Sequence, residues 1–168
     1  DIEATYSLLA IKKGIDFNIH LDKHIPSYVY GDKIRLRSSL VNLLNNAIKF
    51  TKEGSIDFYV NVVKTVGDEV TLEFIVKDTG IGIKEENLRN LFESFKKVEY
   101  NEKYAYEGAG IGLSLTNGYV KLMKGSLDVK SVYGQGSTFT ITVRQKVVNA
   151  EPIDLNIVNA CKNTTTKK

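Results

Sequence analysis

Three short stretches of this chain combine polar side chains with glycines at spacings that could bind a ligand. In chain order they are NLLNNAIKF (Asn42 to Phe50), VKDTGIGI (Val76 to Ile83) and YEGAGIGLSL (Tyr106 to Leu115). The first supplies amide oxygens and a lysine, the second an aspartate before a glycine turn, and the third a glycine-rich turn at the start of a helix. Each alone is weak evidence, but together they predict a pocket for a nucleotide and a magnesium ion.

The first stretch lies in the strongest predicted helix of the chain, at about residues 32–51. The apolar residues that recur there at helical spacing are Leu36, Leu40, Leu43, Leu44 and Ala47. At about 100° per residue, Asn42, Asn46 and Lys49 fall within an arc of roughly 60° beside this stripe, whereas Asn45 lies outside both. An Asn oxygen suits Mg²⁺, and a lysine one turn away suits phosphate. For a single Asn a solvated polar position would be the better interpretation, and only the other two stretches favour a ligand.

The second stretch places an aspartate where a predicted strand ends. Asp78 follows the alternating apolar residues of that strand, and Gly80 and Gly82 would let a ligand approach the backbone. A carboxylate fixed there can accept a hydrogen bond from an adenine amino group, a charge-assisted bond worth about 1.5 to 3 kcal/mol. The alternative is an ordinary β-turn whose Asp caps the backbone, which the Asp-Thr-Gly triplet alone would favour.

The third stretch directs backbone amides towards an anion. Gly108, Gly110 and Gly112 open directly into a helix, so free N–H groups and the positive helix end would face a bound phosphate. A dinucleotide-binding fold competes with this interpretation, because Asp128 follows Gly108 by 20 residues, as a ribose-binding acid would. However, the preceding sequence KVEYNEKYAYE is not a buried strand, and neither GKS nor GKT occurs, so a dinucleotide fold and a Walker loop are both disfavoured.

Apolar periodicity predicts a fold of the α+β class. Helical spacing occurs at about residues 1–13, 32–51, 88–95 and 111–123, and about three of these are long helices. Alternating residues predict about five strands, at about 15–21, 56–62, 70–76, 127–129 and 139–143. Glycine turns join two pairs of these strands as hairpins, which favours a two-layer α/β sandwich over regular strand-helix-strand alternation.

The length of 168 residues fits one domain with flanking segments. We expect that domain at residues 15–146, preceded at 1–14 by a helix that ends a linker from an absent upstream region. Residues 147–168 are polar and rich in Asn, which predicts a disordered tail or a linker.

Composition argues against several classes of partner. The net charge of +3 is small and opposite charges alternate along the chain, so nucleic acid is not an expected partner. The single cysteine, Cys161, forms no internal disulfide and has no motif around it, which suits a reducing compartment and makes it a bystander. No apolar run is long enough for a membrane helix, and no N-terminal segment of this sequence resembles a signal peptide. We therefore expect a cytoplasmic segment without membrane contact, whether or not the parent protein is a membrane receptor.

Two further segments extend the three stretches into a family pattern. With LFESF (Leu91 to Phe95) and YGQGSTFTITV (Tyr133 to Val143), the chain closely resembles the catalytic, ATP-binding domain of two-component sensor histidine kinases in the GHKL superfamily. The resemblance runs from about Ile15 to Val143, with all boxes in order at normal spacing. It implies a Bergerat-type two-layer α/β sandwich, in which about three helices cover one face of a mixed, mostly antiparallel sheet of about five strands.

The resemblance also implies roles for individual residues. Asn46 would coordinate Mg²⁺ with help from Asn42, and Lys49 would contact the phosphates of ATP. Asp78 would bind the adenine amino group. Lys97 would lie near the γ-phosphate, where many members have an Arg, and a Lys supplies the charge without the bidentate geometry. The other residues implied around the nucleotide are Phe50, Gly80, Gly82 and Ile83 on the adenine side, Gly108, Gly110, Ile111, Gly112 and Leu113 at the phosphates, and Thr138 next to adenine through water.

By the same resemblance, the domain would donate the γ-phosphate of ATP to a histidine on a separate dimerisation hairpin, in signalling that ends at a response regulator. In the family, an acidic residue and then Arg-Thr-Pro tend to follow the acceptor histidine. His20 precedes Leu21-Asp22 and His24 precedes Ile25-Pro26, so neither fits. We therefore expect the acceptor hairpin outside this chain, and we expect the isolated domain to be monomeric and to turn ATP over poorly.

Two other functions stay open at this point. A water-directed ATPase of the same superfamily would need a glutamate one turn before the magnesium-binding Asn, and this chain has Asn42 there, which leaves no general base. The other alternative is a regulatory module that binds nucleotide without kinase activity. The chain retains the residues that nucleotide binding would need, namely Asn46, Lys49, Asp78 and the three glycines of the third stretch, which argues against a loss of function. The sequence alone leaves the regulatory module open.

Overall fold

Four helices and six strands make up the part of the chain that the structure describes. A computed structural model describes residues 2–96 and 110–152. The helices are α1 (Ile2–Lys13), α2 (Lys33–Phe50), α3 (Glu85–Lys96) and α4 (Gly110–Leu122). The strands are β1 (Asp16–Leu21), β2 (Pro26–Tyr30), β3 (Ser55–Val66), β4 (Glu69–Asp78), β5 (Ser126–Val132) and β6 (Gly136–Pro152). Within these ranges no helix is long and apolar enough to cross a bilayer.

All the strands belong to one mixed sheet. Its order is β1-β3-β4-β6, and β5 and β2 pair one after the other with the remaining edge of β6. Only β1 and β3 are parallel; the other pairs are antiparallel. The sheet is therefore five strands wide, which confirms the predicted mixed, mostly antiparallel sheet.

Strand β2 is an addition to the elements that the sequence predicts. Pro26 suggests a break in the chain, but it is the first residue of this strand, and β2 is an edge strand. Proline is tolerated at such a position because no neighbouring strand needs its missing N–H. The partner of β2 is the distant end of β6, and no local pattern reveals that pairing.

Alternation along the central strands puts their apolar side chains on one face of the sheet. The buried residues there are Ile56, Phe58 and Val60 of β3, Leu72, Phe74 and Val76 of β4, and Phe139, Ile141 and Val143 of β6. Helix α2 adds Leu40, Leu43, Leu44 and Ala47 to the same core. Residues between them in the strands, such as Glu73 and Thr140, are only half-buried. This arrangement confirms the predicted two-layer sandwich.

Helix α1 packs as part of the domain, beyond the linker role that the sequence suggests. Tyr6 and Ala10 are 3% and 1% exposed and belong to the core. The Tyr6 hydroxyl donates to the side-chain oxygen of Asn45 at 2.6 Å and lies 3.2 Å from the carbonyl oxygen of Val41. Asn45, which falls outside both the core stripe and the polar arc of α2, is therefore the point at which α1 is attached to α2.

Both ends of α2 have capping partners. Gly31 and Asp32 form a typical start signal before α2, and Asp32 accepts a hydrogen bond from the Arg35 N–H at 3.1 Å, as an N-cap residue does. At the other end, Lys13 donates to the carbonyl oxygens of Ile48 and Lys49. A positive charge is favourable at a helix C-terminus, where carbonyls lack partners within the helix.

The long strand β6 runs beyond the expected domain boundary. It continues to Pro152, whereas the sequence suggests a polar tail from Val147. Pairing explains the difference, because β2 lies beside this end of β6 and Val147 donates to the carbonyl oxygen of Asp68 at 2.6 Å. Residues 153–168, which complete the expected tail and include Cys161, lie outside the described ranges.

Helices α1 and α4 both end in a Schellman motif, in which one residue after the helix adopts a left-handed conformation. The residue at that position is Gly14 after α1 and Lys124 after α4. After α1, Gly14 has φ +75°, and the next N–H bonds to a carbonyl five residues earlier at 3.0 Å. After α4, Lys124 has φ +57°, and the corresponding bond is 2.9 Å. Both are Schellman ends. The sequence predicts Gly125 as the terminator of α4, but Lys124 makes the left-handed turn. Gly125 follows it because a Cβ there would overlap the carbonyl oxygen of Thr142.

We expect Lys124→Gly to raise the free energy of unfolding by about 0.5 to 1 kcal/mol, because glycine adopts positive φ without the strain of a side chain. Gly14→Ala is the matched control and should lower the free energy of unfolding by about the same amount, since its Cβ would meet nothing within 4 Å and only the backbone conformation matters. Urea denaturation of both variants measures the two changes. A destabilised Lys124→Gly would contradict the left-handed assignment.

Candidate functional site

The structure brings the described parts of the three stretches together at one end of the sandwich, the third stretch from Gly110 onwards. The side-chain nitrogen of Asn42 on α2 lies 3.4 Å from the carbonyl oxygen of Gly112 and 3.3 Å from the hydroxyl of Thr116, both on α4. The turn after β4 contacts the C-terminal end of α2, where Ile81 donates to the carbonyl oxygen of Phe50 at 3.2 Å. Helix α2 is thus the shared wall between the aspartate turn and the start of α4.

Asp78 is a buried acid at the end of β4. It is 8% exposed, and its carboxylate accepts the Gly80 N–H at 2.8 Å and also the Ser137 N–H. Burial raises the pKa of the Asp78 carboxyl above its usual range, while these two hydrogen bonds act in the opposite direction. A carboxylate can accept about four hydrogen bonds, so this one retains acceptor capacity for a ligand.

Gly80 and Gly82 allow backbone segments to pack closely around the turn. A Cβ on Gly80 would overlap the carbonyl oxygen of Phe50 at the end of α2. Gly82 has φ +71°, and its Cβ would overlap the carbonyl oxygen of Val132 in the β5–β6 hairpin. The sequence suggests that these glycines leave room for a ligand, but protein backbone fills that space. They shape the site by fixing where the turn lies.

Ser137, rather than Thr138, lies on the side of the sheet that holds Asp78. In the register of β4 and β6, Asp78 pairs with Ser137, and both are buried. Successive strand residues point to opposite faces, and Thr138 is half-exposed on the face away from the helices. The resemblance implies that Thr138 lies next to adenine. The structure instead places Ser137 next to Asp78 and directs the Thr138 side chain to the opposite face of the sheet.

The polar side of α2 contains one unusual buried group. The side-chain nitrogen of Asn46 is buried and has no hydrogen-bond partner within the described ranges. Buried polar groups are nearly always paired, so this exception points to a ligand. Lys49, three residues further on, is exposed, and its ammonium lies 5.3 Å from the centre of the Phe50 ring. These residues lie on the same helix as Asn42, in the arc that the sequence predicts.

The predicted phosphate-side residues are only partly within the described ranges. Lys97 and Gly108 lie outside the described residues, as does the side chain of Ile111. Gly110 is the first residue of α4, in agreement with a glycine turn that opens a helix. Leu113 is 4% exposed and belongs to the hydrophobic core. Its contribution is to pack the first turn of α4 against the domain.

Three hydroxyl residues near the site are absent from the sequence prediction. They are Thr116 on α4, Ser131 on β5 and Ser137 on β6. Thr116 contacts Asn42, and the Ser131 hydroxyl lies 2.8 Å from the hydroxyl of Ser137. Only the pairing register of β4, β5 and β6 identifies the two serines, and a single sequence does not show that register.

Comparison with known proteins assigns the chain to a family. Residues 31–147 match the family model of the histidine kinase-, DNA gyrase B- and HSP90-like ATPases. The matched range contains all three of the stretches described above. The chain belongs to this family.

Similar curated proteins are signalling kinases. The chain is 40% identical over 132 residues to hybrid signal transduction histidine kinase B of Dictyostelium discoideum. The aligned region covers 79% of this chain and 7% of that protein. It is 35% identical over 127 residues to signal transduction histidine-protein kinase BarA of Escherichia coli strain K12. That aligned region covers 76% of this chain and 14% of BarA. The chain thus spans a small part of these relatives. Their names support a sensor histidine kinase over the water-directed ATPase and the inactive module.

Solved structures agree with the fold. Full-length ShkA in complex with AMPPNP aligns with a TM-score of 0.68 and 28% identity, over 90% of this chain and 31% of that one. The nucleotide-free catalytic domain of the histidine kinase ThkA aligns with a TM-score of 0.63 and 22% identity, over 86% and 89%. Both confirm the predicted α/β sandwich.

We expect the stability of this domain relative to its Asp78→Asn variant to fall as pH rises. Because the folded-state pKa of Asp78 lies above the usual value, the folded protein binds this proton more tightly than the unfolded chain does. The stability that results is fully present below the unfolded pKa and is lost as pH rises through the folded pKa. Urea denaturation of both proteins, from about pH 3.5 to pH 7, measures the difference. A difference that grows in favour of wild type with rising pH would contradict the burial of Asp78.

Proposed function

We propose that this domain binds Mg-ATP and donates the γ-phosphate to a histidine on a helical hairpin elsewhere in its parent kinase. The observation that carries the proposal is the buried Asp78 carboxylate at the junction of α2, β4 and the β5–β6 hairpin. A partly desolvated acceptor, fixed by backbone donors, is suited to an amino group on a planar base. Adenine presents such a group, whereas guanine presents a carbonyl oxygen at the same ring position, which the carboxylate would repel.

The start of α4 is the proposed phosphate site. This helix begins at Gly110 and has 13 residues, so its first N–H groups and its dipole favour an anion. Its first turn is tied to α2 through Asn42, which directs the amide nitrogen at Gly112 and Thr116. Lys49 projects from the same helix as Asn42 and is exposed, which suits a contact with phosphate.

The residues present fit a magnesium ion that arrives with the nucleotide. The side-chain nitrogen of Asn46 is buried and has no hydrogen-bond partner within the described ranges, so a flip of the amide, which would turn the oxygen to the ion, would break no hydrogen bond of this nitrogen there. The nitrogen of Asn42 is used by α4, which leaves its oxygen for the ion. These two side chains would hold Mg²⁺, and the phosphates would supply most of its ligands, because two neutral oxygens bind the ion weakly. When bound, the ion would neutralise charge on the transferred phosphoryl group.

The transfer itself is a displacement at the γ-phosphorus. An imidazole nitrogen of the hairpin would form a bond to that phosphorus, the bond to the β–γ bridging oxygen would break, and ADP would leave. The domain contributes position and charge, because phosphoryl transfer needs little covalent help from the protein. Asn42 stands where a water-activating acid would be required for an ATPase, and its amide is engaged with α4.

An apolar stripe beside the glycine turn supports docking of the hairpin. Leu115 and Leu122 are 46% and 63% exposed and lie seven residues apart on α4, so they share one face of the helix. Exposed leucines arranged in this way suit a helical partner. The response regulator would then be an indirect partner, and both ATP supply and two-component signalling favour a cytoplasmic location for this domain.

Two variants separate base recognition from metal dependence. We expect Asp78→Asn to lower the affinity for a non-hydrolysable ATP analogue about 10-fold to 100-fold, with or without Mg²⁺, because it loses a charge-assisted hydrogen bond. Asn46→Ala should lower the affinity in Mg²⁺ but leave the affinity in EDTA unchanged. Isothermal titration calorimetry measures both, with circular dichroism as the control for folding. Unchanged affinity in Asp78→Asn would remove adenine recognition from the proposal.

Phosphoryl donation is tested in trans. When the domain is mixed with the histidine hairpin of its parent protein and ATP labelled at the γ-phosphate, we expect a phosphoprotein that is labile in acid and stable in base. The same hairpin with its histidine replaced by glutamine is the control and should remain unlabelled. Acid-stable label on serine or threonine would assign the domain to another class of kinase.

A further inference from the structure

The hydroxyl of Ser131 on β5 joins the aspartate turn to β6. It accepts the Ile83 N–H at 2.8 Å. It also lies 3.0 Å from the carbonyl oxygen of Gly136 and 2.8 Å from the hydroxyl of Ser137. A serine hydroxyl has one proton and two lone pairs, so it can accept from the turn and donate to β6 at the same time.

These contacts close a ring of hydrogen bonds around Asp78. The Asp78 carboxylate accepts from Gly80 in the turn and from Ser137 on β6. Ser131 links the other end of the turn, at Ile83, to the same Ser137. The turn is therefore held to β6 at both of its ends, at its start through the Asp78 carboxylate and at Ile83 through the Ser131 hydroxyl.

The β5–β6 hairpin fits the turn closely in the region that the ring encloses. Gly134 donates to the carbonyl oxygen of Ile81 at 2.6 Å. A Cβ on Gly82 would overlap the carbonyl oxygen of Val132. Because both contacts involve backbone, a shift of the hairpin would move the turn with it. The Ser131 hydroxyl adds a side-chain link between the turn and the hairpin.

We propose that Ser131 is a positioning residue of the nucleotide site, which sets the orientation of the Asp78 carboxylate and through it the preference for adenine over guanine. The inference rests on the proposed binding of ATP. Discrimination between bases depends on a fixed acceptor, because a carboxylate that can rotate or shift would accommodate either base. Without the Ser131 hydroxyl, the Ile83 N–H loses its acceptor and the turn gains freedom relative to β6.

The experiment compares three single variants with wild type. Ser131→Ala removes the hydroxyl, and Ser131→Thr retains it on a residue that suits a strand. Ser126→Ala is the matched control, because Ser126 lies on the same strand, is exposed and is far from the Asp78 pairing position. Competition against a fluorescent ADP analogue gives dissociation constants for ATP and GTP in Mg²⁺. Carbon-13 NMR of the ligand-free proteins gives the titration of the Asp78 carboxyl.

We expect Ser131→Ala to reduce the ratio of ATP to GTP affinity about 10-fold, the loss of roughly one hydrogen bond to a charged group. It should also raise the pKa of Asp78 further, because the Ser137 N–H bond that opposes the effect of burial is weakened. Ser131→Thr should restore the ratio and the titration, and Ser126→Ala should change neither. A purely structural role would lower the melting temperature and leave both readouts at wild-type values.

The outcomes separate this inference from the proposed function. If wild type prefers ATP and Ser131→Ala retains both the preference and the Asp78 titration, the inference is overturned and the proposed function stands. A shifted titration with an unchanged base preference would also overturn it, because the effect would not reach the ligand. If wild type has no preference for ATP, the proposed function fails, and the assignment of base selectivity to Ser131 fails with it.

Discussion

The close packing of one turn between two backbone segments is the constraint on which the site depends. The turn after β4 lies against the end of α2, where Phe50 accepts the Ile81 N–H, and against the β5–β6 hairpin, where Gly82 has no room for a side chain beside Val132. Backbone neighbours cannot move aside as the end of a flexible side chain can. The position of the Asp78 backbone is therefore determined by the sheet and by α2, and hydrogen bonds from Gly80 and Ser137 orient its carboxylate.

The same packing explains how a buried acid is tolerated. Burial disfavours the ionised carboxylate, and the N–H groups of Gly80 and Ser137 compensate for part of the lost hydration. Two donors do not saturate a carboxylate, so Asp78 is held firmly and can still accept further hydrogen bonds. Asn46 is in a similar situation on α2, with a buried amide nitrogen that has no partner within the described ranges. A site prepared in this way binds a ligand without first reorganising.

Local signals in the sequence predict the elements and the three stretches, whereas pairing between distant segments decides the details. Helical and alternating periodicity depend on near neighbours, and so does the start signal before α2. By contrast, the choice between Ser137 and Thr138 depends on the register with Asp78 across β4 and β6. Strand β2 is hidden because its partner lies at the far end of β6. Lys124 at a left-handed position is also unexpected, because the adjacent Gly125 is the stronger local signal.

Helix α1 has a consequence for how the domain can be divided. Tyr6 contacts α2 through Asn45, and Lys13 covers its last carbonyl groups, so α1 supports the second half of α2. We therefore expect a stable fragment to begin upstream of Tyr6. A fragment that started at Ile15 would retain the residues of the proposed nucleotide pocket but would lose the contacts of Tyr6 and Lys13 with α2.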